Sequence, residues 1–559
     1  DEAPMSASQD KKRRQAERTD GVDKRSLAER EAARKAKKER TRWGIVGAII
    51  VVFAVVVILL NTNLFYSGTT ALTINGYEYT NADFQYYYLS AYSNFVSNNQ
   101  NYISMFFDTS EDLDKQAFDP ALLGVTGEGL PENPTWKDYF KSVAIDNMVE
   151  ITALYDSAVK SGYTLSEEEQ AEIDEIMASF ETAATANGLR DAGAFVSFYY
   201  GKGNTLDSVR ELITRGYIAS GYAQRQFDSY SYTTEELDAY YDEHKDELDA
   251  FSFNYYLVAA EQVEVTETVT DEETGEETEQ TAERATEETM AEAKETAERL
   301  YDVIESGRAE QAMSFSEAVG EVMGEEAVEN VIDYKNALGV NCLTFMPDSV
   351  SDWLTDASRT EGDMALLEVE DSGWCVLLFN GRNDNSDYNA VNFRHILVKA
   401  VDSDGDGEFS AEELTVAEDK INELYDEWKN GEATEDSFAS LASANSEDSG
   451  SKDNGGLYEH VGVDTMVEGI NDYIFDPARQ PGDTAVIFNQ NSSYTGYHLV
   501  YFVGTDEMSY HDCLADYGYS SMYSSVEGLR QPDYTAWHDE LVAGYSADVN
   551  SFINWFAKV

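Results

Sequence analysis

The stretch NFRHILVKAVDSDGDGEFSAEEL, residues 392–414, decides the fold of the second half of the chain. It begins with a short apolar run around His395, which is typical of a buried β-strand. An acidic loop follows without a spacer, and nearly every second residue of this loop carries a side-chain oxygen. We therefore expect two sites placed back to back, one on the strand and one in the loop.

Working outward, the strand belongs to an internal repeat with a spacing of about 120 to 140 residues. The matching pairs are FNYYLV (253–258) with FRHILV (393–398), ERLYDVIESG (298–307) with NELYDEWKNG (422–431), and GWCVLLF (373–379) with GYHLVYF (496–502). Strand, helix and final strand recur in the same order. Two copies of one α+β unit are therefore predicted, at 249–384 and 389–506.

The two copies differ at their histidines. Tyr255 of the first copy stands where the second has His395, and Cys375 stands where it has His498. The first and last strands of such a unit often pair at the centre of a small sheet, where two facing imidazoles would fix one another's tautomers. The alternative is that each histidine is an ordinary half-buried polar residue. Because two of only six histidines fall at matched strand positions, the pairing is favoured.

Five ordered blocks of the second copy resemble the parvulin peptidyl-prolyl isomerase domain. They are RHILV (394–398), FASLASANSEDSGSKDNGGL (438–457), MVEGINDYIF (466–475), PGD (481–483) and TGYHLVYF (495–502). The resemblance implies an isomerase that turns X-Pro bonds without any cofactor for catalysis. It also implies that the first copy, which lacks both histidines, is a degenerate and catalytically silent domain.

The resemblance assigns roles residue by residue. As catalytic residues it implies His395, Asp448, Thr495 and His498. As the lining of the pocket for the proline ring it implies Leu457, Met466 and Ile470. Rotation about an X-Pro bond makes and breaks no covalent bond, so we expect electrostatic and positioning roles and no nucleophile.

The acidic loop 402–413 follows the EF-hand calcium pattern. The expected ligands, at loop positions 1, 3, 5, 7, 9 and 12, are Asp402, Asp404, Asp406, Glu408, Ser410 and Glu413, and Gly407 occupies the position that requires glycine. A solvated acidic loop is the alternative. We expect a structurally bound Ca²⁺ that fixes the start of the next helix, although a strand stands where an EF-hand has its entering helix.

Residues 72–248 read as a mainly α-helical, chaperone-like domain. A hairpin around Asn75-Gly76 precedes a helix that begins at Thr80, and further helical patterns follow, most of them beginning near a Ser, Thr or Asp cap. The C-terminal segment 507–559 carries Trp537 and Trp555 at helical spacing and is expected to pack on this domain.

The N-terminus predicts a membrane anchor. Residues 1–42 carry 14 Lys and Arg against 9 Asp and Glu, a net charge of +5, whereas the rest of the chain has a net charge of −73. Residues 43–62 are almost entirely apolar, which predicts a transmembrane helix with a cytoplasmic N-terminus and an extracytoplasmic bulk. A cleaved signal peptide is the alternative. With this anchor, the chain resembles membrane-anchored extracytoplasmic foldases of the SurA and PrsA type.

The predicted protein is thus multidomain, with a transmembrane helix, a helical chaperone-like domain and two parvulin-like domains. The expected partners are unfolded or partly folded secreted proteins with X-Pro bonds and the lipid bilayer. Nucleic acid is disfavoured by the strongly negative charge. Three cysteines argue against a disulfide framework, with Cys342–Cys375 left open, and no cysteine or histidine spacing suggests zinc. The alternatives are a non-catalytic holdase chaperone whose parvulin-like domains only bind, and a calcium-dependent surface scaffold.

Overall fold

The computed structural model describes residues 63–100, 102–127, 129–270, 277–309, 313–405, 407–491, 493–521 and 523–550. The predicted basic segment 1–42 and transmembrane segment 43–62 lie outside them, as does the signal-peptide alternative. Within the described ranges, no helix has both the length and the apolar character needed to cross a bilayer. The chain divides into two compact units, residues 1–228 with 536–559, and residues 229–535.

The helices and strands are numbered here in chain order. The helices are α1 Asn63–Gly68, α2 Asn81–Asn98, α3 Ile103–Phe106, α4 Trp136–Ser161, α5 Glu167–Ala186, α6 Ala192–Tyr199, α7 Leu206–Asp228, α8 Thr234–Leu248, α9 Glu287–Ala309, α10 Phe315–Met323, α11 Gly339–Cys342, α12 Asp348–Thr355, α13 Ala411–Asn430, α14 Glu435–Asn445, α15 Glu468–Ile474, α16 Tyr510–Tyr517 and α17 Arg530–Ala543. The strands are β1 Thr70–Ile74, β2 Tyr77–Thr80, β3 Ala250–Ala259, β4 Val263–Thr270, β5 Glu277–Arg284, β6 Ile332–Leu338, β7 Met364–Val369, β8 Gly373–Asn383, β9 Asn389–Lys399, β10 Leu457–Val461, β11 Thr484–Gln490, β12 Thr495–Ser509, β13 Gly518–Ser520, β14 Ser525–Glu527 and β15 Ala547–Val549.

The first unit is mainly helical and starts with the predicted hairpin. Asn75 and Gly76 have φ angles of 45° and 93°, so both occupy the left-handed region that this two-residue turn requires. Thr80 then caps α2 through a capping box with Asp83. Helices α2 and α4 bury a largely aromatic core that includes Phe84, Tyr88, Trp136 and Phe140. The hairpin and the helix start were therefore correctly predicted.

The end of the chain completes this unit. Strand β15 pairs antiparallel with β1, with Val549 opposite Leu72. The hydroxyl of Tyr545 donates to Asp156 at 2.5 Å. Trp537 packs beside the ring of Tyr222, whereas Trp555 lies outside the described residues. Of the described part of the C-terminal segment, residues 536–550 belong to the helical unit.

The second unit contains two four-stranded antiparallel sheets with the same topology. Their strand orders are β6-β3-β8-β7 and β10-β9-β12-β11, and the registers also correspond. Leu257 lies opposite Cys375 in the first sheet, just as Leu397 lies opposite His498 in the second. The predicted repeat and its central strand pair are therefore present in three dimensions.

The boundaries differ from the predicted ones in two places. Helix α8, which we placed in the helical domain, lies in the second unit, because its Tyr241 ring stacks on His511 of α16 at 3.7 Å between centroids. Residues 507–535 lie in this unit for the same reason, since Cys513 and Leu514 share a buried cluster with Leu237 and Leu248 of α8. The spacing of aromatic and aliphatic residues predicts a helix with an apolar face, but it does not indicate which domain that face packs against.

The first copy carries an acidic insertion between β3 and α9, and this insertion contains a two-stranded hairpin. Strands β4 and β5 pair antiparallel from Val263–Arg284 to Thr270–Glu277. The hydroxyls of Thr266 and Thr281 lie 3.2 Å apart across the pair. Strand β4 carries three valines and three threonines, consistent with the β preference of branched residues.

The sheet of the second copy separates an apolar helical layer from a polar site. Ile396, Val398 and Leu499 face helices α13 and α14, where they pack against residues such as Leu424 and Phe438. The residues between them point to the opposite side, because successive side chains of a strand alternate. Cys342 and Cys375, whose pairing was left open, are both buried free thiols.

Candidate active site

His395 and His498 form a buried pair on the two central strands of the second sheet. Their Nδ1 atoms lie 3.0 Å apart, and their rings are nearly parallel, at 9°. His395 lies opposite Val500, and His498 lies opposite Leu397. His498 is two positions from Val500 and therefore on the same face of the sheet as His395, so the two imidazoles are diagonal neighbours. His395 is 5% exposed and His498 is 2% exposed. The sheet therefore joins the two histidines into one unit.

The pair is the middle of a longer hydrogen-bonded chain. Nε2 of His395 lies 3.1 Å from Oδ2 of Asp448, and Nε2 of His498 lies 3.0 Å from the hydroxyl of Tyr494. Burial lowers the pKa of His498 to about 3, with the neighbouring His395 as the second cause. His498 is therefore neutral at physiological pH.

The direction of the protons along this chain follows from its ends. An ionised carboxylate only accepts hydrogen bonds, so Nε2 of His395 carries a proton and, in a neutral ring, its Nδ1 accepts. The Nδ1 of His498 must then donate, and its Nε2 accepts from the hydroxyl of Tyr494. One arrangement of protons thus accounts for every hydrogen bond between Tyr494 and Asp448, and it leaves no imidazole nitrogen unpaired.

Asp448 anchors the chain. Its Oδ2 accepts from the Ser451 amide at 3.0 Å, from the Ser451 hydroxyl at 2.6 Å and from the Tyr458 hydroxyl at 3.0 Å. Burial would raise the pKa of this carboxyl, but the hydrogen bonds from His395, Ser451 and Tyr458 outweigh burial and hold the pKa well below its usual range. The negative charge of Asp448 is consequently permanent at physiological pH.

An apolar cluster lies on the same side of the sheet as the histidines. Tyr458 stacks on Phe393, with ring centroids 5.5 Å apart, and its ring also meets the edge of His395 at 5.4 Å. Ile470 and Met466 belong to the cluster around Phe393. Ile470 is 2% exposed, so it forms the floor of this region, whereas Met466 is half-buried.

Two residues assigned by the resemblance point away from the histidines. Thr495 is an odd number of positions from His498 on the regular part of β12, so it faces the helical layer. Leu457 lies opposite Arg394, which contacts Glu435 of α14 at 3.0 Å, so Leu457 faces that layer as well. Strand alternation therefore places both residues on the face of the sheet opposite the histidine pair, and their assigned roles stay predictions.

The residues that occupy those roles were missed by the sequence analysis. Tyr494 stands four positions before His498, and Tyr458 lies opposite Phe393, so both fall on the histidine side of the sheet. Ser451 was missed as well. Tyr494 could have been predicted, because it lies an even number of positions from His498 and strand alternation places both on one face. Tyr458 could be identified only once the register of β10 against β9 was known.

The described residues of the acidic loop include a group of three carboxylates. Oxygen atoms of Asp402, Asp404 and Glu413 lie within 4.8 Å of one another. The carboxylate of Asp402 accepts from the amides of Gly405 at 2.6 Å and Gly407 at 2.9 Å. Gly407 has φ of 85°, in the region that favours glycine.

The remaining loop residues frame the start of α13. Asp406 lies outside the described residues, whereas Glu408 is exposed and Ser410 caps α13 in a capping box with Glu413. Hydrogen bonds from Ser403 and Ser410 lower the pKa of Glu413 to about 2. The donor set is all oxygen, which fits Ca²⁺.

Comparison with known proteins gives one family match. Residues 378–504 match the family model described as the PPIC-type PPIASE domain. This part of the chain is therefore a peptidyl-prolyl isomerase domain of the parvulin type. No curated protein matches the chain.

Solved structures of PrsA foldases are similar at low identity. The foldase protein PrsA from Streptococcus pneumoniae is 18% identical over 29% of this chain and 45% of its own, with a TM-score of 0.16. PrsA from Bacillus cereus is 20% identical over 31% and 49%, also with a TM-score of 0.16. PrsA from Bacillus anthracis is 11% identical over 48% and 82%, with a TM-score of 0.17. The match spans less than half the length of the first two.

Proposed function

We propose that this protein is a peptidyl-prolyl cis-trans isomerase and chaperone that assists the folding of secreted proteins outside the membrane. The observation that carries the isomerase part is the chain Tyr494–His498–His395–Asp448, which lies beside an apolar cluster on one face of the sheet. Both imidazoles use both of their nitrogens in this chain. Such a site is rigid and suited to binding, and it offers no activated nucleophile.

The reaction requires only that the twisted imide binds more tightly than either planar form. Rotation about the bond is opposed by a barrier of about 18–20 kcal/mol, which comes from amide resonance. The planar form carries partial negative charge on its carbonyl oxygen, and this charge is reduced when the bond twists. A fixed anion close to that oxygen therefore disfavours the planar form relative to the twisted one.

Asp448 is the group that supplies this charge. The four hydrogen bonds that the described residues make to its carboxylate all end on Oδ2. Oδ1 is thereby oriented as the oxygen that meets the substrate carbonyl. In this proposal the proline ring rests on the half-buried Tyr458 and Met466, which exclude water from the bond that rotates.

The test is a prolyl isomerisation assay on the full chain. We expect acceleration over buffer, a large loss in His395→Ala and His498→Ala, and no loss in Cys375→Ala. Cys375 is the matched control because it holds in the first sheet the place that His498 holds in the second. A wild-type rate equal to buffer would remove the enzyme and leave the holdase.

The chaperone part concerns the other domains. The helical unit would hold partly folded secreted chains, and the first parvulin-like domain, with Tyr255 and Cys375 at the histidine positions, would bind without catalysis.

The proposed membrane anchor is the segment 43–62, which would cross the bilayer with the basic segment 1–42 on the cytoplasmic side. Support comes from the sequence pattern. The orientation is tested by adding protease to sealed vesicles whose cytoplasmic face points outward. We expect residues 1–42 to be digested and residues 63–559 to be protected, and digestion of residues 63–559 would show the opposite topology.

We further propose that the loop 402–413 binds Ca²⁺ through Asp402, Asp404, Asp406, Glu408, Ser410 and Glu413. The spacing and the clustered carboxylates support this proposal. Glu413→Gln is a sharp variant, because glutamine preserves a capping box but loses the charged bidentate ligand. We expect millimolar calcium to raise the melting temperature of the wild type and of Glu412→Gln but not of Glu413→Gln. Equal melting temperatures of the wild type in chelator and in calcium would dispose of the site.

A further inference from the structure

A second cluster of chemically active side chains lies outside the histidine chain. His460 of β10, Asp506 of β12 and Cys513 of α16 converge, and one potential ligand atom from each lies within 4.8 Å of the other two. Nδ1 of His460 is 2.8 Å from Oδ2 of Asp506. The thiol of Cys513 donates to the same oxygen at 3.8 Å. An imidazole, a carboxylate and a thiol therefore meet at one point.

Surrounding groups hold these side chains in place. Asn392 donates from Nδ2 to Oδ1 of Asp506 at 2.6 Å and accepts, through its own Oδ1, from the His460 amide at 2.8 Å. The ring of His460 stacks on Tyr517 at 4.2 Å between centroids, with an angle of 18°. Outer partners of this kind orient the ligands of metal sites. The cluster thus has an inner set of donors and a second layer that positions them.

The backbone at His460 is itself unusual. Its φ is 53°, in the left-handed region that residues other than glycine seldom adopt. The pairing of β10 with β9 shifts its register between Tyr458 and Val461, and this irregularity contains His460. The strand departs from regular geometry at the residue whose ring reaches Asp506.

A cavity adjoins the cluster and gives it access. Its volume is about 520 Å³, and its lining includes His460, Gly462, Met466, Cys513 and Tyr517. Cys513 is 1% exposed and His460 is half-buried. The cavity provides a route for an ion and room for a water molecule as a further ligand.

We propose that His460, Asp506 and Cys513 bind a zinc ion, with water from the cavity as the fourth ligand. Nitrogen, oxygen and thiolate donors together are the ligand types of Zn²⁺, and three protein ligands with one open position form a common set. Bond lengths of about 2.0–2.3 Å place tetrahedral ligands about 3.3–3.8 Å apart, so small shifts of the side chains suffice. On binding, the thiol releases its proton to solvent, and the neutral imidazole binds through Nδ1 while its single proton is carried on Nε2.

The thiolate distinguishes this site from the acidic loop. The loop offers oxygen donors alone and suits Ca²⁺, whereas a thiolate selects softer ions. A zinc ion here would join α16 to strands β10 and β12. Strand β10 also carries Tyr458, which donates to Asp448 of the histidine chain. The ion would therefore stabilise the isomerase sheet beside its active site while taking no part in the rotation.

The first experiment uses the wild-type full chain. The chain is treated with chelator, returned to buffer with excess calcium so that the acidic loop is not available to zinc, and titrated with Zn²⁺ by calorimetry. Co²⁺ serves as a coloured probe in parallel. We expect one zinc per chain, a higher melting temperature, and the intense near-ultraviolet absorption of a thiolate-cobalt bond. Absence of this absorption in the wild-type protein overturns the proposal without reference to any variant.

Matched variants then locate the ion. Cys513→Ser should abolish the thiolate-cobalt absorption, and His460→Gln should weaken zinc binding about tenfold or more, since even outer partners of a metal site are worth that much. Cys375→Ser, at another buried free thiol, and His511→Gln, in the oxygen-rich cluster of Asp238 and Asp512, should bind zinc as the wild type does. Unchanged cobalt absorption in a folded Cys513→Ser protein would refute the assignment. Because the isomerase assay needs no zinc, failure here leaves the proposed function standing.

Discussion

Replacing Asp448 by asparagine should weaken the histidine chain without changing its shape. The carboxylate accepts from three side-chain donors, at 3.1 Å from His395, 2.6 Å from Ser451 and 3.0 Å from Tyr458. A hydrogen bond to a charged group contributes about 1.5–3 kcal/mol and a neutral one about 0.5–1.5 kcal/mol, so each bond loses about 1 kcal/mol. Because the side chain of Asp448 is 21% exposed, solvent screening reduces the total to about 2 kcal/mol.

The same substitution should reduce catalysis. The amide has no negative charge, and if its nitrogen turns toward His395, the protons of the whole chain must reverse. We expect kcat/KM to fall tenfold or more, mainly through kcat, since about 1.4 kcal/mol of transition-state stabilisation corresponds to a factor of ten. Urea unfolding gives the stability change, and the isomerisation assay gives the rate. Asp453→Asn, on an exposed residue of the adjoining turn, is the control.

The reasoning about Asp448 has a clear point of failure. If Asp448→Asn unfolds at the wild-type urea concentration and retains kcat/KM within twofold, the carboxylate neither anchors the histidines nor acts on the imide. A loss of stability with full activity would confine it to a structural role.

Three further predictions concern the same sheet. Burial lowers the pKa of His498 to about 3, so below pH 6.5 this histidine binds a proton in the unfolded chain but stays neutral in the folded chain. The free energy of unfolding should therefore fall by about 1.4 kcal/mol per pH unit from pH 6.5 toward pH 3. His498→Phe should flatten that slope in urea unfolding, with His538→Gln as control, and an unchanged slope would contradict a neutral His498. Tyr494→Phe leaves Nε2 of His498 without its donor and should cost about 1–3 kcal/mol, measured against Tyr497→Phe on the other face; equal losses would show that the hydroxyl is not needed. Gly456→Ala places a Cβ 2.3 Å from the carbonyl oxygen of His395 at φ of 75°, so this variant should unfold at a lower urea concentration and lose activity. Gly405→Ala, with the same φ of 75° but open space around the added Cβ, should retain activity. An active Gly456→Ala would show that β9 can shift freely.

The architecture around the active site was largely readable from the chain. The spacing of matched blocks predicted two copies of one unit, and the sheets share one strand order because the same pattern of apolar strands and helices is repeated. The facing positions of His395 and His498 also followed, since equivalent end strands pair at the centre. Local signals sufficed for the hairpin at Asn75 and the cap at Thr80, because both depend on neighbours within a few residues.

The partners of the histidines required the folded chain. Thr495 and Leu457 lie close to the site in sequence, but alternation directs them to the helical face, and Tyr494 and Tyr458 take the places on the histidine side. A shift of one residue in register exchanges the two faces of a strand, so proximity in sequence is a weak guide to which side chain reaches a site.

The amino-acid sequence by itself determined the repeat, the central strands of each copy, the capped helix starts and the histidine pair, because these depend on periodicity and local chemistry. Only the tertiary structure decided that α8 and α16 pack together and that His460, Asp506 and Cys513 meet. These three residues come from a strand, the end of another strand and a helix, and no spacing in sequence encodes their contact. Contacts between distant segments depend on packing, and packing is settled only when the whole unit has folded.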